Sequence, residues 1–401
     1  MVTVEKERMK ALLLSTLAMT VSFIIWSVFS PIAGQIQKLF ALSTLEKSIL
    51  IAAPVLLGSI MRIPMGILTD RHGGRSVFTL TMLFLLIPLV AAGSANSYAW
   101  LLACALFIGM AGTTFAISLT FVSRWYPPQR QGFILGIAGL GNLGGAGANF
   151  LVPSISANFG LPWVFYSMAA AIGMTAIVFY VFTTDLPKPA EPKTLRQSLS
   201  VLRYKTTWQL SVYYFLTFGG FVAFSVYLPT FLSELFGLNA MDAGMKTAVF
   251  VLLATLIRPA GGYWADRYDA KLVLSIIFVG IMISALGLAF TIENYVSFNI
   301  LCLILSLLLG LGNGAVFKLV PQVSSGNTGA VTGIVGAAGG VGGFFPPIVL
   351  GFIKDMTGHY NIGFVFMMLF ALICLILNHL GSRPRRKQNY RESHKGLELT
   401  T

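Results

Sequence analysis

The sequence predicts an all-α integral membrane protein, with twelve transmembrane helices arranged as two pseudo-symmetric six-helix halves. Three observations carry that prediction. The 401 residues are 56% apolar and only 10% charged, at a mean hydropathy of +0.80, whereas soluble domains hold about 25% charged residues. Twelve apolar runs are long enough to cross a hydrocarbon core, which takes about 20 residues of helix. An Arg, Gly, Asp, Arg pattern from the first half then recurs in the second. This composition excludes nearly every soluble enzyme or nucleic-acid-binding module. The formal charge of +13, from 27 Lys+Arg against 14 Asp+Glu, belongs in the loops between spans. Cys104, Cys302 and Cys374 fall inside apolar runs without paired or metal-ligand spacing and read as small hydrophobes. No nucleophile–base pair, metal cluster or phosphate loop is evident, so no enzymatic activity, cofactor or nucleic-acid partner is expected.

The spans read as 11–35, 46–68, 76–95, 98–122, 131–155 and 159–183, then 207–232, 240–264, 272–291, 296–320, 329–353 and 361–381, with ends good to several residues. Thr184 to Lys205 is polar and carries Pro187, Pro189 and Pro192. The expected organisation is therefore a first bundle over 1–183, a cytoplasmic linker over 184–205, a second bundle over 206–381 and a basic cytoplasmic tail over 382–401. Lys6, Arg8 and Lys10 precede the first span, which is too long for a signal sequence. With both termini cytoplasmic, Lys38, Lys47, Lys246 and Lys354 alone fall in outer loops, Arg62, Arg258 and Lys318 fall within spans, and every other basic residue lies inside the cell. That distribution obeys the positive-inside rule for a multi-pass protein of the cell membrane. All 14 acids are assigned to loops or tails. The chain is expected to act as a monomer in the lipid bilayer.

The repeat is specific. Arg62-Ile-Pro64-Met-Gly66-Ile-Leu-Thr-Asp70-Arg71 returns 196 positions later as Arg258-Pro-Ala-Gly-Gly262-Tyr-Trp-Ala-Asp266-Arg267, and Gly132, Gly136 and Gly139 return 197 later as Gly329, Gly333 and Gly336. Two motifs at nearly one offset indicate duplication of a six-helix unit. The loop Gly66-Ile-Leu-Thr-Asp70-Arg71-His72-Gly73-Gly74-Arg75 resembles the Gly-x-x-x-Asp-Arg-x-Gly-x-Arg/Lys signature of the major facilitator superfamily, degraded in the second copy at Tyr268-Asp269-Ala270-Lys271. In that reading Gly66 permits close packing, while Asp70 pairs with basic groups and caps helix ends in a gating role.

A narrower resemblance covers most of the chain. Gly136-Ile-Ala-Gly139-Leu-Gly141-Asn142-Leu-Gly144-Gly145 and Gly333-Ile-Val-Gly336-Ala-Ala-Gly339-Gly340-Val-Gly342-Gly343-Phe-Phe-Pro346 are similar to the two signatures of the nitrate/nitrite porter family, most of all its bacterial assimilatory members. The resemblance implies that Arg62 and Arg258, on the second and eighth spans, grip the anion and that Asn142 contacts it. It also implies aromatic contacts from Phe115, Tyr214, Phe218 and Phe317, with Trp26 or Phe29 as the first-span aromatic. Nitrate, with nitrite and protons as further partners, is the implied cargo of a transporter working by alternating access.

Apart from any family, an arginine at the centre of a span costs about 2.5–3.5 kcal/mol. Two at symmetry-related positions, with no acid assigned to a span, leave charge that a transported anion would neutralise near the midplane. Guanidinium forks suit planar oxyanions. The competing reading is that each arginine snorkels or bonds backbone carbonyls. The glycine runs are mostly tight helix packing, which also bounds the substrate to a small ion. Asn142 either donates to an anion oxygen or bonds a neighbouring helix. Lys318 either lines the inward half of the cavity or snorkels to the interface. His72, His359, His379 and His394 are not placed as proton relays.

Moving a monoanion into a negative-inside cell costs about 2.3 kcal/mol per 100 mV, so uptake needs exchange or symport. Lack of a carboxylate in the spans favours nitrate/nitrite exchange. The resemblance also allows proton symport, through Lys318 or Tyr214. Two alternatives remain: a facilitator for another anion such as an organic phosphate or carboxylate, and a non-transporting membrane sensor whose tail, Arg383 to Lys387, binds a partner or lipid. Phosphate-ester exchangers of the superfamily place their arginines on the first and seventh spans, and Ala11 to Gln37 carries no charge.

Overall fold

The computed structural model describes residues 2–186, 195–238, 240–324, 326–357 and 359–380. Twelve helical spans are long and apolar enough to cross a membrane: α1 (Glu5–Leu39), α2 (Ile49–His72), α3 (Gly74–Gly93), α4 (Tyr98–Trp125), α5 (Gln131–Phe159), α6 (Leu161–Phe182), α7 (Lys205–Pro229), α8 (Asp242–Arg267), α9 (Ala270–Thr291), α10 (Tyr295–Val323), α11 (Thr328–Pro346) and α12 (Asn361–Leu380). Each overlaps one predicted span. The segment between α6 and α7 is not wholly extended, because a short helical piece runs from Leu195 to Arg203. The remainder of that segment, 187–194, and the basic tail with Arg383 to Lys387 lie outside the described residues.

Side chains sort by environment as a bilayer requires. Ile87, Met174 and Phe290 are 70%, 69% and 81% exposed on α3, α6 and α9, where only lipid makes such apolar surface tolerable. The inner helices are small-residue helices in backbone contact. A Cβ on Gly66 of α2 would strike the Gly329 carbonyl of α11, and one on Gly329 would strike the Gly66 carbonyl. The second crossing repeats the first, with Gly262 of α8 against Gly132 of α5 in the same reciprocal way. The two halves of the repeat therefore meet α2 on α11 and α8 on α5.

Five spans are irregular: α1 breaks at Ser27 and Val28, and four others break next to the arginines or the groups that contact them. The helix of α2 is interrupted at Met61, so that Arg62 opens its second segment, and that of α8 is interrupted at Ile257, so that Arg258 opens its second segment. Proline supplies the cause. Pro64 has no N–H for the Ile60 carbonyl and Pro259 has none for the Thr255 carbonyl. Glycine-rich 3₁₀ stretches interrupt α4 at Gly109–Thr113 and α5 at Gly139–Asn142.

The placement of every acid outside the spans does not hold. Asp70 and Asp266 sit in the last turns of α2 and α8, and Asp242 opens α8. The apolar stretches end before the helices do, and the extra turn carries the carboxylates inward. Asp70 accepts hydrogen bonds from Gly329 N–H at 2.8 Å and Ala330 N–H at 3.2 Å, at the start of α11. Asp266 accepts from Gly132 N–H at 3.1 Å and Phe133 N–H at 2.8 Å, at the start of α5. Each carboxylate faces a helix N-terminus of the opposite half, where its charge is favoured.

Candidate functional site

The break in each helix brings its arginine into the interior. Arg62 is fully buried and Arg258 is 2% exposed. The 3₁₀ stretch of α4 frees the Gly112 carbonyl, which accepts Arg62 Nε at 3.0 Å, and the Gly336 carbonyl of α11 accepts Arg62 Nη1 at 2.7 Å. One guanidinium thus bonds backbone from both halves. Its Nη2 has no partner, and neither Nε nor Nη2 of Arg258 has one. A buried polar group left unpaired costs about 1–3 kcal/mol, more when charged. Among the described residues, no ion pair joins either arginine to an acid.

The duplication explains why the arginines differ. Gly139 and Gly336 are repeat partners, and both lie against an arginine side chain, Arg258 and Arg62 respectively. The Gly336 carbonyl serves Arg62. The Gly139 carbonyl is taken instead by Asn142 Nδ2 at 2.7 Å, and Arg258 keeps free N–H groups. Asn142 is therefore bonded within its own helix, and the atom left unpartnered is Oδ1, an acceptor. One N–H of the Asn142 amide is committed to that carbonyl, and the second is the donor it has left. Glycine stands at the repeat position of Asn142: a Cβ on Gly339 would strike the Tyr214 ring at 2.7 Å.

The aromatic set assembles around the arginines. The Arg62 guanidinium carbon lies 5.1 Å from the Phe115 centroid and 5.3 Å from that of Phe218, and the Arg258 carbon lies 5.5 Å from Phe218 and 5.0 Å from Phe221. Phe218 is shared by both cations. Tyr214 stacks on Phe218 at 4.9 Å and 8° and meets Phe317 edge-on at 4.8 Å, while Phe115 meets Phe317 at 5.1 Å. The Tyr214 hydroxyl lies beside Arg258 without a well-directed hydrogen bond. Such rings exclude water and lower the local dielectric, which strengthens whatever the guanidinium groups bind. A cavity of about 10 Å³ remains, lined by Arg258, Tyr214, Phe115, Phe317, Gly139 and Asn313 among others. That is about the room one water molecule takes, so a four-atom anion enters only if the lining moves apart.

Three expected residues lie elsewhere. Trp26 donates Nε1–H to the Pro54 carbonyl at 3.1 Å and packs against Gly112, so it supports the backbone that holds Arg62. Phe29 packs on Phe165 at 5.6 Å. Lys318 is 7% exposed and neither lines the cavity nor snorkels; it donates to Asp266 and, at 2.7 Å, to the Pro128 carbonyl. The ion pair and the Asp266 contacts to α5 tie α8, α10 and the first half together at one end. The other signature glycines lie at close helix contacts. Gly141 and Gly144 seat α5 on Met19 and Thr20 of α1, and Gly342 and Gly343 seat α11 on Phe215 and Val222 of α7. Gly145 lies near Ser27, and Gly340 near Ser59 and Arg62. Gly136 abuts Pro259, and Gly333 abuts Arg62 and Ile63. Arg267 bonds the Tyr263 hydroxyl at 2.9 Å, and Arg71 Nε is buried without a partner. Sequence reasoning missed Phe221, three residues past Phe218, and Asn313, an amide within an apolar span flanked by Gly312 and Gly314.

A family model for the Major Facilitator Superfamily matches residues 15–347 and 247–399. The chain belongs to the major facilitator superfamily. Within the superfamily it is 39% identical to a nitrite extrusion protein of Bacillus subtilis, over 91% of this chain and 92% of that one. It is 36% identical to a probable nitrate transporter, NarT, of Staphylococcus epidermidis, over 95% and 98%, and 37% identical to a probable nitrate/nitrite transporter, NarK2, of Mycobacterium tuberculosis, over 93% and 96%. These end-to-end matches place it in the superfamily's nitrate/nitrite porter family. Among solved structures, the human organic anion transporter MFSD10 superposes at a TM-score of 0.76 with 15% identity, over 92% of this chain and 99% of that one. The Escherichia coli fucose:proton symporter FucP superposes at 0.72 with 17% identity, over 93% and 100%. At those identities the likeness establishes the major facilitator fold alone. The protein is a multi-pass membrane protein of a transporter family.

Proposed function

We propose that this protein carries nitrate, and nitrite with it, across the cell membrane for nitrogen assimilation, by alternating access around Arg62 and Arg258. One observation carries the reading: two buried guanidinium groups share the Phe218 ring, keep unpaired N–H donors and have no ion-pair partner among the described residues. A small planar oxyanion supplies the missing charge and fits forked donors. The names of the relatives support the same cargo. In this reading the bundles 1–183 and 206–381 rock about the site, with both termini and the ends bearing Asp70 and Asp266 on the cytoplasmic face. Anion binding offsets the repulsion between the arginines and permits the movement.

Uptake against the membrane potential needs coupling. No acid pairs with the arginines among the described residues, which supports nitrate/nitrite exchange. The Asp266–Lys318 ion pair puts a carboxylate inside a span, which supports proton symport. The sequence argument for exchange assumed that no carboxylate lies in a span, and Asp266 removes that premise.

The test uses the purified chain in proteoliposomes. Nitrate uptake is expected to be inhibited by excess nitrite and unaffected by phosphate. Internal nitrite should drive it with the pH gradient clamped at zero if exchange is the coupling. Uptake only with an imposed proton gradient would establish symport, and equal inhibition by tetrahedral phosphate would refute the assignment to a small planar oxyanion.

A further inference from the structure

Asn313 is a polar group at the cavity that the repeat does not explain. It lies on α10, is 2% exposed, and neither its Nδ2 nor its Oδ1 has a hydrogen-bond partner. Its repeat counterpart region on α4 carries no amide: the stretch from Gly109 to Phe121 offers only threonine and serine as polar residues. The placement is enforced by its neighbours. A Cβ on Gly312 would strike Thr217 of α7 at 2.5 Å, and one on Gly314 would strike the Arg258 carbonyl and, at 2.7 Å, the Gly262 nitrogen of α8. Close contact with the Thr217 side chain on one side and with α8 backbone on the other holds this rung of α10 against the two helices that bring Tyr214 and Arg258. The amide lines the same cavity as those two side chains.

A carboxamide offers two donors and an acceptor, and native interiors rarely leave all of them unused. Arg258, which lines the same cavity, leaves Nε and Nη2 unused, and behind the shared Phe115 and Phe218 rings Arg62 leaves Nη2 unused. Asn142 spends one of its two amide N–H groups on the Gly139 carbonyl, whereas Asn313 has both unused and lines the cavity. Resting on the oxyanion reading above, we propose that Asn313 is a further substrate-binding residue that makes the site count oxygens. Its Nδ2–H donates to the oxygen of a trigonal anion that the two guanidinium forks leave unbound, while its Oδ1 accepts from Arg258. A three-oxygen anion uses every donor. A two-oxygen anion such as nitrite does without this one.

The test compares wild type, Asn313→Ala and Asn313→Ser as purified full-length chains, by thermal melts with and without nitrate and by proteoliposome uptake. Removing an unpaired buried amide should leave the ligand-free melt unchanged or raised. In Asn313→Ala the nitrate half-saturation concentration should rise about tenfold or more, as for loss of one hydrogen bond to a charged group. That of nitrite should move less than about threefold by the same conversion. Asn313→Ser, which keeps a donor, should recover part of the nitrate affinity. An unchanged nitrate half-saturation in folded Asn313→Ala, or an equal or larger rise for nitrite, would overturn the proposal. The two readings fail separately. A wild type that takes up neither anion sinks the oxyanion reading, whereas wild-type uptake with an indifferent Ala variant sinks only the role of Asn313.

Discussion

Arg62 and Arg258 occupy equivalent places in the repeat but have different neighbours, and the difference traces to one amide. Where the second half has Gly339, the first has Asn142, whose Nδ2 occupies the Gly139 carbonyl. Arg62 consequently bonds Gly112 and Gly336, while Arg258 Nε and Nη2 stay free. Arg62 reads as the fixed half of the pair and Arg258 as the half open to a ligand. Asn142→Ala should then act on binding more than on folding. Among the described residues its side chain bonds only within its own helix, so the ligand-free melt should change by less than about 1 kcal/mol. Nitrate half-saturation should shift several-fold, because the Gly139 carbonyl becomes free to capture Arg258. A collapsed melt with normal affinity in the surviving protein would make Asn142 structural.

At the scale of the helices, prolines and glycines decide the geometry. Pro64 and Pro259 break α2 and α8 at the arginines, and reciprocal glycine pairs let α2 lie on α11 and α8 on α5. Gly262→Ala places a Cβ against the Gly132 carbonyl, backbone that has nowhere to move. It should destabilise by about 1–3 kcal/mol, the ordinary cost of overpacking. Gly34→Ala, where nothing lies within 4 Å, should instead be neutral or stabilise by up to about 1 kcal/mol. Thermal melts of the two variants check both; equal behaviour would mean that the α5–α8 crossing is not under the contact described. This level was largely legible in the sequence, because two motifs at nearly one offset fix which helices correspond. The ends of the spans were not. Hydropathy stops where apolar residues stop, whereas hydrogen bonding continues to His72 and Arg267, and so Asp70 and Asp266 passed for loop residues. The Asp266–Lys318 pair, across 52 positions, has no sequence signal of its own. Phe221 was hidden by the abundance of phenylalanine in α7, and Asn313 because, unlike Asn142, it lies outside both glycine signatures.

For the whole molecule, the same end of the bundle is tied twice, by Asp70 onto α11 and by Asp266 onto α5, and the second tie carries the added charge of Lys318. Between those ties and the opposite end lies an aromatic-walled cavity lined by Arg258, with Arg62 across the shared Phe218 ring. A fold that buries that much positive charge without an internal counter-charge among its described residues holds together best with an anion present. The most direct measurement is nitrate uptake, with nitrate-dependent thermal stabilisation, in Arg62→Lys and Arg258→Lys at matched expression. Lysine keeps the charge and loses the fork. Each variant should lose at least about 90% of uptake, corresponding to about 1.4 kcal/mol or more, together with the nitrate-induced rise in melting temperature. Full uptake and an unchanged nitrate shift in either variant would contradict the account.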